Sequence, residues 1–257
     1  NDLEIAWLYR SNDGSKGIQA NAIYNEGKLF FPTPGNHIVC LNAVTGKEIW
    51  KYKGSHWKIA QRGLVFNKTN NEEFIYFTDN DKLTSISAKN GKLNNNFGKN
   101  GSVKIKPSVV TPIIYKNKII VATFYPSIEV YDLSTGKILW KYFLRKKKEK
   151  FKGGNPWGGI SLDNKRGVLF ITTGNPENYF IGVDRPGENE YTNSVIAIDI
   201  DKKKELWKFQ ETEHDIWNLD IPAAPILTTI NYKNKKIDVV VAITKLGNTL
   251  IFDRDTG

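Results

Sequence analysis

The sequence contains a single cysteine and only three histidines among its 257 residues. One cysteine cannot form an internal disulfide, and it excludes a zinc cluster built on thiolates. No run of about 18 uninterrupted apolar residues is present, so the pattern predicts no transmembrane helix. The N-terminal stretch also lacks the basic and then apolar pattern of a secretory signal. Two alternatives remain open, a cytosolic protein or one whose signal has been removed.

Aromatic and basic residues are abundant. Aromatic residues make up 12% of the chain, with seven tryptophans, and 40% of the residues are hydrophobic, which is enough for a core. The formal net charge of +10 raises nucleic acid as a partner. The charge is scattered, however, apart from RKKKEK at 145–150, and no basic stripe is interleaved with stacking aromatics. We therefore expect no nucleic-acid partner, and interpret the basic run as a solvated surface or as a loop that meets an acidic partner.

Four stretches of the sequence resemble one another, and a fifth begins at the end of the chain. Each has a short apolar run, a polar turn and then apolar residues that close on Trp or Phe. They are CLNAVTGKEIWKY (40–52), SISAKNGKLNNNF (85–97), VYDLSTGKILWKY (130–142), AIDIDKKKELWKF (197–209) and IFDRDTG (251–257). The turn glycines Gly46, Gly91 and Gly136 are spaced 45 residues apart. This regular spacing indicates an internal structural repeat.

The repeats predict an all-β fold built from hairpins. Asn or Thr followed by Gly adopts the positive φ that tight turns require, and the segments NKIIVATF and GVLFITTG alternate as strands do. A period in the forties with about four strands per repeat is typical of a β-propeller blade. Trp50, Trp140 and Trp207 occupy the same place in their repeats and are expected to pack between blades. A β-sandwich with accidental similarity between segments is the alternative fold.

The repeat count predicts a single domain over residues 1–257, an incomplete β-propeller with about four to five blades. The last turn motif ends at Gly257 without the strand that should follow it. We therefore expect the chain to be one piece of a longer protein, with further blades or another chain as a partner.

Motifs between the repeats, taken in order, resemble the quinoprotein dehydrogenases that use pyrroloquinoline quinone (PQQ), in particular the glucose and alcohol dehydrogenases. The resemblance extends over essentially the whole chain and corresponds to about the N-terminal half of the family's eight-bladed propeller. It implies a periplasmic oxidoreductase that oxidises a sugar or alcohol hydroxyl by hydride transfer to the quinone. It also implies a quinone or a cytochrome as electron acceptor, and we expect the chain to be inactive on its own.

The resemblance assigns roles to eight residues of this sequence. Cofactor binding is implied for Gln19 in GIQANAIY, Arg62 in AQRGLVF, Trp157 in NPWGG and Lys245 in ITKLGN, with Thr111 and Thr123 as weaker matches. Asn175 in TTGNP is the implied Ca²⁺ ligand, and Asp215 in EHDIWNLD is the implied catalytic base.

The chemistry of PQQ fits these residue types. A flat tricyclic quinone stacks on an indole such as that of Trp157, and its carboxylates bind cations such as Arg62 and Lys245. Ca²⁺ takes oxygen ligands and polarises a carbonyl, while a carboxylate accepts the proton of the substrate hydroxyl. We expect Trp217, together with two nearby prolines, to fix the loop that carries Asp215.

The sequence departs from the family at the second acidic calcium ligand. No acidic residue follows IIVATFY until Glu129, which comes too late and falls within a predicted strand. We therefore expect calcium to bind weakly, with PQQ supplying most of the negative charge.

Alternatives stay open for the site residues and for the function. A turn cap for Asp215, blade packing for Trp157, a turn role for Asn175 and a surface charge for Arg62 are the structural alternatives. The alternative function is a cofactor-free propeller scaffold for protein–protein interaction, resembling the outer-membrane assembly lipoprotein. A scaffold explains the repeats equally well, but it does not explain why the site motifs occur in order.

Overall fold

The computed structural model describes residues 3–14, 17–55, 59–69, 71–146 and 153–257. Within these ranges the chain forms 18 β-strands and no helix, as the alternating pattern predicts. None of the described residues therefore belongs to a helix that is long and apolar enough to cross a membrane. The chain divides into a first unit, Asn1–Ile119 with Tyr131–Ile138, and a second unit, Ile120–Val130 with Leu139–Gly257. The single domain over 1–257 stays a prediction.

The strands form antiparallel sheets in which neighbours in sequence are neighbours in space. The first sheet has four strands, β1 (Ile23–Asn25), β2 (Lys28–Pro32), β3 (His37–Asn42) and β4 (Glu48–Lys53). The second has three, β5 (Val65–Thr69), β6 (Glu72–Ser87) and β7 (Ser102–Ser108). The third has four, β8 (Ile113–Tyr115), β9 (Lys118–Thr123), β10 (Ser127–Asp132) and β11 (Ile138–Phe143).

The second unit contains two further sheets. One has four strands, β12 (Ile160–Asp163), β13 (Val168–Thr172), β14 (Ser194–Asp199) and β15 (Lys204–Gln210). The other has three, β16 (Ile226–Tyr232), β17 (Lys235–Ile243) and β18 (Thr249–Asp253). The described residues thus form three sheets of four strands and two of three strands, where the repeats predict about four strands in each.

The repeated glycines lie in tight turns that close the hairpins. The φ angles of Gly46, Gly91 and Gly136 are 68°, 70° and 70°, in the left-handed region that favours glycine. The N–H of each donates to a backbone oxygen four residues earlier, at 2.8–2.9 Å. In the fourth repeat Lys203 takes this position with a φ of 57°. The prediction of turns that require a positive φ is therefore confirmed.

A tryptophan of one repeat packs on the turn glycine of another, in what we call the indole–turn contact. The Trp50 indole N–H donates to the backbone oxygen of Ala88 at 3.1 Å. A Cβ placed on Gly91 would lie 2.7 Å from the Trp50 ring, closer than atoms tolerate. The glycine therefore provides the space for the indole as well as the φ of the turn.

The indole–turn contact recurs in both units. It involves Trp7 with the Ala43 oxygen (3.1 Å) and Gly46, and Trp207 with the Arg254 oxygen (3.4 Å) and Gly257. Trp140 differs, because its buried indole N–H has no hydrogen-bond partner among the described residues. These contacts agree with the packing predicted for Trp50 and Trp207.

Each unit has its own apolar core. In the first unit Phe30 and Trp50 lie with ring centroids 5.8 Å apart, within a cluster that includes Ile38, Ile75 and Phe77. In the second unit the buried side chains come mainly from β13, β14 and β17, and β14 is buried along its whole length. Burying each of the larger apolar side chains in these cores contributes on the order of 1.5–3 kcal/mol.

The lone cysteine and the basic run do not form reactive or binding clusters in the described residues. Cys40 is a free thiol within β3, and burial raises its pKa to about 11. Arg145 lies over the Tyr125 ring, 4.7 Å from its centroid, and Lys146 pairs with Glu190. Residues 147–150 of the predicted basic loop lie outside the described residues, as does His56.

Candidate functional site

The predicted site residues are distributed over the two units. Three of them, Gln19, Arg62 and Thr111, belong to the first unit. The others belong to the second unit and are Thr123, Trp157, Asn175, Asp215 and Lys245.

In the first unit, Gln19 lines a pocket, and the segments that carry Arg62 and Thr111 approach each other closely. Gln19 lines a cavity of about 230 Å³, where its Oε1 accepts a hydrogen bond from Gln61 at 3.5 Å. Arg62 is tied to the next segment by its backbone N–H, which donates to the Val109 oxygen at 3.1 Å. The adjacent Gly63 has a φ of 140°, and a Cβ there would lie 2.6 Å from the Thr111 Oγ1. Glycine thus allows the segment carrying Arg62 to rest on Thr111.

Thr123 is buried at the end of β9, where the turn to β10 begins. Its hydroxyl lies 2.8 Å from the Ser127 hydroxyl and donates to the Tyr125 backbone oxygen at 3.0 Å. These bonds stabilise the turn, and contact between Thr123 and a cofactor stays a prediction.

The second-unit pocket brings together three residues that the sequence motifs assign to the site. It has a volume of about 230 Å³ and is lined by Trp157, Asn175 and Lys245, together with Glu177, Asn218 and Asp220. Trp157 precedes β12, Asn175 follows β13 and Lys245 follows β17. Three separate segments therefore converge on one cavity.

Asp220 is the central acceptor of this pocket. Its Oδ1 accepts hydrogen bonds from the Trp157 indole N–H and from the Asn175 backbone N–H, both at 3.0 Å. Its Oδ2 lies 2.5 Å from the Lys245 ammonium. The residue is only 4% exposed, and burial strengthens such charge-assisted bonds.

Asp215, the predicted base, lies in the preceding part of the same loop and is not among the residues that line the second-unit pocket. It is 1% exposed. Its Oδ1 accepts from the Trp217 backbone N–H at 2.8 Å, and its Oδ2 accepts from the Leu219 backbone N–H and the Asn193 amide, both at 2.8 Å. This is the hydrogen bonding of a carboxylate that holds a turn.

The Asp215 turn is supported by a buried arginine. Arg185 is 3% exposed, and its guanidinium donates to the Asp215 backbone oxygen at 2.5 Å and to the Asn189 side chain at 2.6 Å. Burial lowers the pKa of Arg185, and the nearby Asp215 carboxylate opposes that shift. Trp217, which we expected to fix the loop, is 72% exposed. The loop is therefore held by the polar contacts of Asp215 and not by the indole.

Hydrogen bonds at the end of β13 hold the loops around Asn175 in place. The Thr172 hydroxyl donates to the Ala223 oxygen at 2.7 Å, and the Thr173 hydroxyl donates to the Tyr191 oxygen at 2.6 Å. Both bonds attach neighbouring loops to the strand end that precedes Asn175. The pocket is thus fixed to a buried strand, which favours a defined geometry.

The residues present fit a planar, anionic cofactor such as PQQ. The half-buried indole of Trp157 offers a ring face, and the Lys245 side chain, 37% exposed, offers a cation. The buried Oδ1 of Asn155, a residue that also lines the pocket, has no hydrogen-bond partner in the described part of the chain. The pocket therefore holds an acceptor that is available to a ligand donor.

The pocket offers fewer suitable ligands for calcium than for PQQ. Asn175 and Glu177 line the pocket, but no group of three His, Cys, Asp or Glu side chains suited to a metal ion occurs among the described residues. Glu129 lies within β10 and pairs with Lys141 at 2.7 Å. The Nδ1 of His214 donates to the Gly187 oxygen at 2.9 Å. These side chains do not fit a calcium site held by several carboxylates.

Sequence reasoning missed the importance of Asp220, Arg185 and Asn193. Asp220 is the second aspartate of the EHDIWNLD segment, and nothing in the sequence indicates which of the two aspartates faces a cavity. Arg185 and Asn193 lie in a long insertion without periodicity, so their burial has no local signal.

Comparisons with known proteins identify the family of this chain. Residues 1–257 match the PQQ family model described as glucose/ethanol/alcohol dehydrogenase, beta-propeller domain. Quinoprotein glucose dehydrogenase A from Acinetobacter calcoaceticus is 26% identical over 321 aligned residues, which cover 100% of this chain and 40% of that protein. This chain thus spans about 40% of the length of the curated relatives that it matches.

Solved structures share the fold. A europium-containing methanol dehydrogenase matches with a TM-score of 0.84 at 20% identity, over 99% of this chain and 52% of that chain. BamB from Moraxella catarrhalis matches with a TM-score of 0.61 at 14% identity, over 99% and 66%. The prediction of an all-β, incomplete β-propeller is confirmed. Because the family match extends over the whole chain, this protein belongs to the PQQ-type glucose/ethanol/alcohol dehydrogenase β-propeller family.

Proposed function

We propose that the chain forms part of a PQQ-dependent dehydrogenase that oxidises a sugar or alcohol hydroxyl by hydride transfer to the quinone. The observation that carries the proposal is the convergence of Trp157, Asn175 and Lys245 on the second-unit pocket. These residues come from three motifs that are far apart in sequence. A fold without a shared ligand gives no reason for an indole, an amide and a cation to meet there.

The proposed roles follow from the contacts of each residue. Trp157 offers its ring face for stacking, because its N–H is already bound to Asp220. Lys245 contributes a cation to the cofactor's carboxylates or quinone oxygens. Gln19, Arg62, Thr111 and Thr123 are proposed as further cofactor contacts. The bound quinone would supply the hydride acceptor, while the protein binds and orients.

Asp215 is the proposed base for the substrate hydroxyl, and its surroundings set a condition on that role. Its two oxygens already accept three hydrogen bonds in a buried turn. Because a carboxylate offers about four acceptor positions, the proton of the substrate hydroxyl must reach the one that remains, on Oδ1. In the complete protein, with its further blades, replacing Asp215 by Asn should lower turnover by about 10²–10⁴-fold if the residue is the base. PQQ binding should then be retained. Equal turnover in the variant and the parent would exclude Asp215 as the base.

Calcium is not given a role in the proposed reaction. The pocket offers the side-chain oxygens of Asn155 and Asn175 and the exposed carboxylate of Glu177, while its other carboxylate, that of Asp220, is already bound to Lys245. Where calcium binds, we expect it to do so together with PQQ and only weakly without it. Tight uptake of calcium by the protein alone, measured by titration calorimetry, would contradict this.

The partners follow from the proposed reaction. They are a small sugar or alcohol as substrate, and a quinone or a cytochrome that accepts the electrons, with the periplasm as the compartment. Further propeller blades, on the same or another chain, are proposed to complete the site, because this chain matches only about 40% of the length of its relatives.

A cofactor-free scaffold for protein–protein interaction is the second candidate function. This candidate is supported by the fold that the chain shares with BamB. A scaffold would use exposed surface and would leave the pocket residues without a ligand. The pocket therefore discriminates between the two functions.

The test is titration of the complete protein, with its further blades, with PQQ, followed by the quinone absorbance. We expect saturable binding, which the Trp157→Ala variant weakens by about 1–3 kcal/mol, the range for stacking of a planar ligand. Trp217→Ala is the matched control, since it removes an exposed indole that does not line the pocket. Absence of binding, or equal losses in both variants, would favour the scaffold.

A further inference from the structure

We infer that Asp220 is the positioning residue of the second-unit pocket, which fixes the Trp157 indole and the Lys245 ammonium for a planar anionic ligand. The inference deepens the proposed function and rests on it for the identity of that ligand. Asp220 acts through its two neighbours and does not itself contact the reacting atoms.

Three donors from three segments converge on the one carboxylate. The Trp157 indole N–H and the Asn175 backbone N–H share Oδ1, each at 3.0 Å, while Lys245 occupies Oδ2 at 2.5 Å. The backbone adds a further tie, because the Lys245 N–H donates to the Asp220 carbonyl oxygen at 3.3 Å. The loop before β16 and the turn after β17 are therefore joined by both main chain and side chain.

Gly174 leaves space for the hydrogen bond between Asp220 and the Trp157 indole. A Cβ on Gly174 would lie 2.5 Å from the Asp220 Oδ1 and 2.8 Å from the Trp157 Nε1. Any side chain there would separate the carboxylate from the indole or displace one of them. The hydrogen bond between Asp220 and Trp157 therefore depends on a glycine at 174, next to Asn175.

The arrangement orders both neighbours before a ligand arrives. Anchoring the Trp157 N–H restricts rotation of the ring, so that the orientation of its face is already set, and such ordering lowers the entropy lost on binding. The Lys245 ammonium has three N–H donors. One binds Asp220 and another the Asn218 oxygen at 3.1 Å, which leaves the third for a carboxylate or quinone oxygen.

The direction in which Asp220→Asn changes PQQ affinity distinguishes a positioning role from a purely electrostatic one. Asp220 places a negative charge near an anionic ligand, so an electrostatic role alone predicts that Asp220→Asn tightens PQQ binding. Positioning predicts the opposite. An amide keeps one oxygen for Trp157 and Asn175, but it turns an NH₂ group toward Lys245 and releases the lysine.

The experiment has two measurements on the parent, Asp220→Asn, Lys245→Met and the double variant. The first is the indole ¹H–¹⁵N resonance of Trp157 without ligand, identified by its absence in Trp157→Phe. The second is the PQQ affinity from quinone absorbance. Glu213→Gln is the control, because it removes one negative charge from an exposed position of the same loop.

We expect Asp220→Asn to shift the Trp157 resonance and to weaken PQQ binding by about tenfold or more, as for loss of a hydrogen bond to a charged group. The Asp220 and Lys245 effects should be non-additive, since one residue acts through the other. Glu213→Gln should change neither measurement.

Unchanged or tighter PQQ binding in Asp220→Asn would overturn the inference, as would an unmoved Trp157 resonance. If the parent protein does not bind PQQ, the proposed function fails. The positioning role of Asp220 then stands or falls on the ligand-free resonance alone, because that measurement does not depend on the cofactor.

Discussion

Replacing Asp215 by Asn tests whether this carboxylate holds the loop in addition to its proposed chemical role. Asp215 accepts three hydrogen bonds, from the Trp217 and Leu219 backbone N–H groups and from the Asn193 amide, all at 2.8 Å. Asparagine has nearly the same shape but only one acceptor oxygen. At least one N–H donor must therefore face an NH₂ group.

The expected cost follows from counting these donors. With its oxygen in place of Oδ2, the amide keeps the bonds to Leu219 and Asn193 and loses the bond to Trp217. An unsatisfied donor costs about 1–3 kcal/mol, and the surviving bonds weaken because the acceptor is no longer charged. For a protein of this size, 1 kcal/mol corresponds to about 2–4 °C in melting temperature. We therefore expect Asp215→Asn to melt about 3–10 °C below the parent.

Thermal unfolding monitored by circular dichroism measures this difference without any cofactor. Glu213→Gln is the control, since this exposed carboxylate lies two residues earlier and its substitution should change the melting temperature by about 1 °C or less. A melting temperature for Asp215→Asn equal to that of Glu213→Gln would refute the anchoring role. A loss of turnover in Asp215→Asn points to base chemistry only when it is measured well below the melting temperature.

Two further predictions concern stability. Gly91→Ala places a Cβ 2.7 Å from the Trp50 ring at a φ of 70°. The variant should therefore lose more melting temperature than Gly27→Ala, where φ is 77° and no atom lies within 4 Å of the added Cβ. Equal losses of melting temperature in the two variants would show that the contact with Trp50 is unimportant. Burial acts to raise the pKa of Asp163, but hydrogen bonds from the Arg166 backbone and from the Arg254 and Arg166 side chains outweigh it and lower the pKa below 3.8. The Asp163 carboxylate therefore stabilises the folded chain at pH above about 4. The stability gap between the parent and Asp163→Asn should narrow as the pH falls below that value in urea titrations, and a constant gap between pH 6 and 3 would contradict the assignment.

The hairpins could be predicted from the sequence because their causes are local. A positive φ at Gly46, Gly91 and Gly136 follows from the residue type alone. NKIIVATF and GVLFITTG form β9 and β13 as predicted, since β-branched residues in alternation favour a pleated strand. In the second repeat, by contrast, the closing strand is reduced to an isolated bridge between Ile86 and Leu93, because the polar run NNN after Leu93 lacks the apolar alternation of a strand.

The arrangement of the site could not be predicted to the same depth. The EHDIWNLD stretch carries two aspartates, and which of them faces the cavity depends on the course of the loop. Positive φ angles at His214 and Asn218, 46° and 60°, reverse the chain direction and turn Asp215 toward its own backbone. Asparagine adopts such angles readily but does not require them. Asp220 is therefore brought to the pocket by tertiary structure, and no sequence pattern distinguishes it from Asp215.

The indole–turn contact has a consequence for how such a sequence can diverge over evolution. Each indole N–H donates to a backbone oxygen, and each indole ring packs where the turn glycine has no Cβ. Neither the hydrogen bond nor the packing depends on the identity of the surrounding side chains. The turns AVTG, AKNG and RDTG receive Trp7, Trp50 and Trp207, and the glycine is the one residue that all three turns have in common. Mutations can accumulate in these turns without loosening the join between repeats, provided that the glycine and the tryptophan persist. Sequence identity can thus fall to about a quarter, as between this chain and its relatives, while the architecture stays the same.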